Sequence, residues 1–297
     1  MRILIFGAGA VGRVLAAMLS PHNELDIAAR DPKLSLIERE GIFVHGAADR
    51  KIWPGTKPQG IYDIVIIATK AFDIIRASES VNEFIDENST IVSPQNGLSH
   101  VDILTDYFGH KVILAPTTIG ATSTGPNSAR LVSLGMTFIG SSSGDMDREK
   151  TVAKLFDHAE LPNNISNNII GEVWTKAIVN ACINPIAALA GVPNGTLLER
   201  NSLLTIAEKA CYEAAEAAIV NHIELTHIDV FEWVKEVMRS TSENRCSMLQ
   251  DLESGRRTEI DEINGVLIKK GESNGISMDV NRALWTMIRT AEGRRLP

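Results

Sequence analysis

The stretch Ile3-Leu4-Ile5-Phe6-Gly7-Ala8-Gly9-Ala10-Val11-Gly12-Arg13-Val14-Leu15-Ala16-Ala17-Met18-Leu19 decides how the rest of the chain is read. Ile3–Phe6 is short and wholly apolar, which suits a strand buried on both faces. Val14–Leu19 suits a helix, and Gly7-Ala8-Gly9-Ala10-Val11-Gly12 joins the two. A strand that runs through G-x-G-x-x-G into a helix is the context in which that spacing carries chemistry. The first glycine permits a tight turn, the second lets backbone approach a pyrophosphate, and the third lets helix and strand pack closely. Free N–H groups at the helix start, reinforced by the helix dipole, favour the phosphates. Gly7, Ala8, Gly9, Ala10, Val11 and Gly12 are therefore candidate cofactor-binding residues.

Outward from that loop, Glu24–Ala29 reads as the next strand and ends in Arg30-Asp31. An acid at this strand end bonds the ribose hydroxyls of NAD, whereas an arginine accommodates the 2′-phosphate of NADP. The chain offers both; Arg30 comes first, which favours NADP, with Asp31 as the competing reader. Further apolar runs, Ile61–Thr69, Thr90–Ser93 and Lys111–Pro116, alternate with helix-compatible segments, the pattern of a doubly wound parallel sheet. Function in such sheets collects at the carboxyl ends of strands. Lys70 closes one run and Asn96, in Pro94-Gln95-Asn96-Gly97, follows another; a lysine there neutralises phosphate and an Asn-Gly turn reaches nicotinamide or substrate. In isolation, both positions also suit ordinary turn residues. Ala129–Ser133 and Met136–Gly140 alternate around Leu134-Gly135 and read as a hairpin. Asp147–Glu160 has helical spacing, and the polar run Asn163–Asn168 sets the expected boundary between domains 1–166 and 167–297.

Past that boundary no convincing strand is legible, and an all-α second domain is expected. In Trp174–Pro185, Lys176, Asn180 and Asn184 recur every fourth residue and share one face of an otherwise apolar helix. Burying such groups without partners is costly, so the stripe points toward a site. Pro185 is expected to end or kink the helix. Thr258 with Asp261 three residues on forms a capping-box pattern, with a helix expected to start at Glu259. Glu259 could pair with a lysine, bond a substrate hydroxyl or stabilise the helix end.

Composition narrows the function class. The chain has 297 residues, 44% hydrophobic and 22% charged, with a net charge of −8 and a pI near 5.4. That excludes disorder and fibrous repeats, and argues against nucleic acid or anionic membrane as partners. Cys182, Cys211 and Cys246 lie far apart with no metal-ligand spacing, so no metal and no disulfide framework is expected, only reduced thiols in a cytoplasmic protein. Glycines and Arg13 interrupt the N-terminal apolar run, unlike a signal peptide. No 18-residue apolar run suggests a membrane span. None of the seven histidines sits in a recognisable triad motif.

Together these motifs resemble the ketopantoate reductase family over nearly the whole chain. The resemblance is carried by Gly7–Gly12, Gln95-Asn96-Gly97, Trp174–Pro185 continuing to Pro193-Asn194-Gly195, and Ser247-Met248-Leu249-Gln250-Asp251 with Thr258-Glu259-Ile260-Asp261. It implies an N-terminal Rossmann domain, a helical C-terminal domain and an active site in the cleft between them. It implies Lys176 as catalytic lysine and Glu259 as the acid beside it. Asn180, Asn184 and Ser247 would bind substrate, Asn96 would face substrate and nicotinamide, and Arg30 and Lys70 would contact the 2′-phosphate. The implied reaction is NADPH-dependent reduction of 2-dehydropantoate to pantoate in pantothenate and coenzyme A biosynthesis. Alternatives on the same scaffold are reduction of another branched or aromatic 2-oxo acid, with NAD if Asp31 is the reader, or action on a sugar or glycerol phosphate. An NADP-sensing regulator is the non-enzymatic alternative. A homodimer through the helical half is expected.

Overall fold

The structure, a computed structural model, describes residues 1–292. It divides into two compact units: Met1–Gln95 with His100–Ile169, and Asn96–Ser99 with the chain from Ile170 onward.

The first unit runs β1 (Arg2–Phe6), α1 (Ala10–Leu19), β2 (Glu24–Ala28), α2 (Lys33–Glu40), β3 (Ile42–Gly46), β4 (Arg50–Ile52), β5 (Ile64–Ile67), α3 (Ile74–Val81), β6 (Thr90–Ser93), α4 (Ser99–Phe108), β7 (Val112–Leu114), β8 (Gly120–Ser123), β9 (Ser128–Ser133), β10 (Thr137–Ile139), α5 (Met146–His158) and β11 (Asn163–Ile165). A five-stranded parallel sheet has the order β2-β1-β5-β6-β7. Its strands β5, β6 and β7 are buried at every residue, as continuous apolar runs covered on both faces require. Strand order reverses around β1, whose Phe6 pairs with Ala28 on one side and Ile67 on the other. That reversal is the switch point where open α/β sheets bind ligands. A second sheet has the order β4-β3-β9-β8, and α1 packs against its strands as well as against the parallel sheet. Gly12–Leu19 is accordingly buried at every residue, as befits a helix covered all round.

The expected hairpin at Ala129–Gly140 does not form. β9 joins β8 antiparallel and β3 parallel, while β10 pairs parallel with β11. Gly135 (φ +58°) turns the chain against the Thr118–Ile119 backbone, and Thr137 bridges to Thr117 rather than back to β9.

The second unit is helical, as expected: α6 (Ile169–Ala190), α7 (Thr196–Glu199), α8 (Asn201–Val220), α9 (Val230–Ser240), α10 (Ser247–Glu253), a π-turn at Asp261–Gly265, α11 (Val266–Glu272) and α12 (Asp279–Ala291). A stripe of Ala207, Ala210, Cys211, Ala214, Ala217 and Ala218 is buried on α8 and lets α11 approach closely. By length and composition α6 could cross a membrane, but most of it is buried inside the structure, as the core helix of a globular domain would be.

α6 does not end at Pro185. A proline cannot donate the bond that residue 181 would accept. The fully buried Asn264 supplies it instead: its Nδ2 donates to the Ala181 carbonyl at 3.3 Å and to Asn281 Oδ1 at 3.0 Å. Asn281 donates in turn to Ala210 O and Glu213 Oε2. The helix continues to Ala190 because a distant amide replaces the missing donor.

Candidate functional site

At the switch point of the first unit the three glycines differ in what demands them. Gly7 (φ +122°) lies against the Ala68–Thr69 backbone, where a Cβ would approach to 2.7 Å. A Cβ on Gly12 would fall 2.0 Å from the Gly7 carbonyl oxygen. Packing therefore requires both. Gly9 is different: its nearest neighbour would be Ala68 O at 3.7 Å, an ordinary contact, so the protein itself leaves room for a side chain there. Packing does not require the missing side chain, and the open backbone there fits a dinucleotide pyrophosphate. Gly9 is the N-cap of α1, with no capping side chain and no acid in the first turn. The N–H groups of Ala10, Val11 and Gly12 then lack intrahelical acceptors and face outward with the dipole behind them.

Arg13, read from sequence only as a break in an apolar run, underpins this loop. Its fully buried guanidinium donates to Gly9 O (3.1 Å), Gly125 O (2.6 Å) and Ser123 Oγ (2.6 Å). Burial lowers its pKa to about 10, which still leaves it charged at neutral pH.

Arg30 and Asp31 have distinct tasks. Asp31 Oδ1 accepts from Ser35 N (3.1 Å) and Ser35 Oγ (2.6 Å), so this carboxylate holds the start of α2, and those bonds lower its pKa. Arg30 is largely exposed and donates to Asp73 Oδ2 at 2.9 Å. Lys70 lies three residues beyond β5 and three residues before Asp73. Gln95 locks the adjacent strand ends: its Nε2 donates to Thr69 O (2.9 Å) and Thr69 Oγ1 (3.1 Å), and its Oε1 accepts from Ser93 Oγ (3.3 Å).

The second unit gathers Lys176, Glu259 and Asn96. Lys176 stands on α6 with Asn180 and the buried Asn184 one and two turns on. Burial disfavours its charged form and lowers its pKa to about 8; the Glu259 carboxylate opposes this but does not cancel it. Glu259 is buried, and its Oε2 accepts from Asn96 Nδ2 at 3.5 Å. The next two residues anchor Asn96. Gly97 (φ +84°) sits where a Cβ would approach the Glu262 carbonyl oxygen to 2.5 Å, and Leu98 N donates to that oxygen at 3.0 Å. Ser247 opens α10 and is exposed; the preceding Cys246 donates its S–H to Asn184 O at 3.5 Å, tying α10 to α6.

The capping box at Thr258 does not form, and no α-helix starts at Glu259. Thr258 N and Oγ1 both donate to Glu292 Oε1, at 2.8 and 2.7 Å. Asp261 is engaged elsewhere, accepting from Trp285 Nε1 (2.8 Å), Arg257 and Arg289 (3.1 Å each). The chain instead opens a wide turn, with Gly265 N donating to Ile260 O at 3.0 Å, before α11 begins at Val266. Sequence reading passed over Glu262 inside this turn. It is buried and holds one Arg257 bond at 3.4 Å, and its Oε2 has no hydrogen-bond partner among the described residues. Burial raises its pKa to about 7, Asp261 and Glu259 adding to the effect and Arg257 opposing it. Its place three residues after Glu259 was the available signal.

Similarity to known proteins extends over both units. The ketopantoate reductase PanE/ApbA family model matches residues 3–144, and its C-terminal counterpart matches residues 168–292. The chain belongs to the ketopantoate reductase family. With it the chain belongs to the oxidoreductases, and the resemblance and fold class read from the sequence are borne out. A 2-dehydropantoate 2-reductase of Pyrococcus abyssi is 33% identical over 297 residues, 98% of each chain. One of Archaeoglobus fulgidus is 33% identical over 295 residues, again 98% of each. A solved ketopantoate reductase family structure from Ralstonia eutropha superimposes with a TM-score of 0.90 at 26% identity, over 99% of both chains. A D-mandelate dehydrogenase solved with NADH and anilino(oxo)acetate shares the fold, with a TM-score of 0.92 at 23% identity over 98% of both chains.

Proposed function

We propose that this family member reduces 2-dehydropantoate to pantoate with NADPH, with Lys176 as general acid. The observation that carries the reading is the half-buried lysine set beside the Glu259–Asn96 pair, in a chain one third identical to 2-dehydropantoate 2-reductases along its length. A nicotinamide cofactor held there would supply the hydride for the keto carbon of the substrate. The chain supplies charge control and a proton. As the carbonyl oxygen turns alkoxide-like, the Lys176 ammonium stabilises it and delivers a proton from Nζ, leaving a hydroxyl. A lysine with its pKa near 8 is mostly protonated at neutral pH and gives the proton up more readily than one at 10.5. Glu259, itself oriented by Asn96 Nδ2, keeps a negative charge near that ammonium and can accept a bond from a substrate hydroxyl. Asn180, Asn184 and Ser247 bind the carboxylate and hydroxyl of the substrate through neutral hydrogen bonds, which adds no second buried charge.

In the first unit, the backbone from Gly7 to Gly12 receives the pyrophosphate, while Arg30 and Lys70 take the 2′-phosphate. Capping of α2 by Asp31 supports Arg30 as the reader. The Arg30–Asp73 pair favours keeping a second reading in the test, an NADH-dependent reductase of another branched or aromatic 2-oxo acid. Oxidation of NADPH and NADH at 340 nm, with 2-dehydropantoate beside a panel of 2-oxo acids, separates them. The proposal expects the highest kcat/KM for NADPH with 2-dehydropantoate. A higher value for NADH with another oxo acid establishes the second reading, and binding without turnover of any acid contradicts both.

A further inference from the structure

Asp73 occupies the N-cap position of α3, where an aspartate ordinarily accepts a bond from the first turn of its own helix. Here its side chain makes no such bond. It reaches Arg30 across the strand ends instead, at 2.9 Å, and its backbone N–H donates to the Lys70 carbonyl at 2.9 Å. One carboxylate is therefore held against the very arginine that would receive a 2′-phosphate. The arrangement gains little as a stabilising contact, because the Arg30 side chain is 72% exposed and exposed ion pairs contribute little. Its consequence for a ligand is larger. A phosphate dianion bound by Arg30 would sit beside a like charge, whereas the neutral 2′-hydroxyl of NADH would find an acceptor in the same carboxylate.

We propose that Asp73 is a specificity-determining residue that restrains the preference for NADPH over NADH by competing with the 2′-phosphate for Arg30. This rests on the reading of Arg30 as the phosphate-binding residue. It makes the chain less exclusive toward NADPH than Arg30 and Lys70 alone would make it.

The test titrates NADPH and NADH into the full chain, followed by cofactor fluorescence, for the parent protein, Asp73→Asn and Arg30→Ala. Asparagine keeps the size of the side chain and removes the charge. Asp73→Asn is expected to tighten NADPH about five-fold, the scale of removing one like charge at a partly exposed site. NADH affinity should hold or weaken, and the tightening should shrink as salt is raised. An unchanged NADPH-to-NADH ratio in Asp73→Asn, with that ratio lowered in Arg30→Ala, overturns the role of Asp73 and leaves the role of Arg30 standing. A ratio unchanged in both variants overturns the two together.

Discussion

The glycine loop of the first unit and the lysine cluster of the second are built by opposite means. The loop lies within six consecutive residues and works mainly through backbone: N–H groups at a helix start, and glycines that bring main chain close to main chain. The cluster draws Asn96, Lys176 and Glu259 from three separate segments, and the Asn96–Glu259 hydrogen bond joins residues 163 apart in sequence. A backbone site is robust to most side-chain change but intolerant of a Cβ where main chain meets main chain, at Gly7 and Gly12. A side-chain site survives backbone detail but depends on the charge and burial of each member. The contrast yields tests of decreasing size.

The largest effect falls on the cluster. Lys176→Met keeps much of the side-chain volume and removes the proton, and should lower kcat by about 10³-fold, within the range of general acid catalysis. The NADPH dissociation constant should stay within about two-fold, measured by fluorescence titration. A comparable loss of cofactor affinity would merge the two regions that the comparison separates.

Within the loop, the glycines should divide. Gly12→Ala forces a Cβ to 2.0 Å from Gly7 O and should cost about 3 kcal/mol in denaturant unfolding, as overpacking does. Gly9→Ala meets nothing closer than 3.7 Å, so stability should hold within about 0.5 kcal/mol while NADPH affinity falls about ten-fold. Equal destabilisation by both would remove the argument that a ligand explains Gly9.

A smaller effect tests the core beneath Lys176. Asn264→Leu leaves the Ala181 carbonyl without its donor and should cost about 2 kcal/mol. In a Pro185→Ala background the helix regains its own N–H, and the cost should drop by about 1 kcal/mol. Additive costs would show that Asn264 does not substitute for the helical bond.

The smallest concerns Glu262, whose folded pKa is raised from 4.5 to about 7. The folded state then holds more protons than the unfolded one between those values. The stability it contributes is complete below 4.5 and is lost as pH rises through 7. Glu262→Gln should flatten that slope, seen as a Tm that falls by about a few degrees less across the window. An unchanged slope would locate the titration elsewhere.

How much was legible from sequence tracks the same division. The strands β1, β5, β6 and β7 were readable because a parallel sheet buried on both faces needs continuous apolar runs, and the edge strand β2 because its burial alternates. The stripe of Lys176, Asn180 and Asn184 was readable because helical spacing is local. What failed was nonlocal. Pro185 looks like a helix end until Asn264 arrives from another element. Thr258 and Asp261 look like a capping box until Glu292 takes the first and Trp285, Arg257 and Arg289 take the second. β9 and β10 look like a hairpin until each finds another strand. Asp73 left no pattern to read, since an aspartate after a strand is ordinary until its neighbours are placed, and Glu262 offered only its place three residues after Glu259. Burial also moves the pKa of Lys176 to about 8, a change that spacing alone does not encode.

That shift gives the most direct measurement, the pH dependence of kcat for NADPH-driven reduction of 2-dehydropantoate. A lysine that donates its proton with a pKa of about 8 predicts a plateau below that value and a loss of about ten-fold per pH unit above it. Lys176→Met should lack that limb. A parent enzyme whose kcat stays level through pH 10 would contradict Lys176 as the general acid.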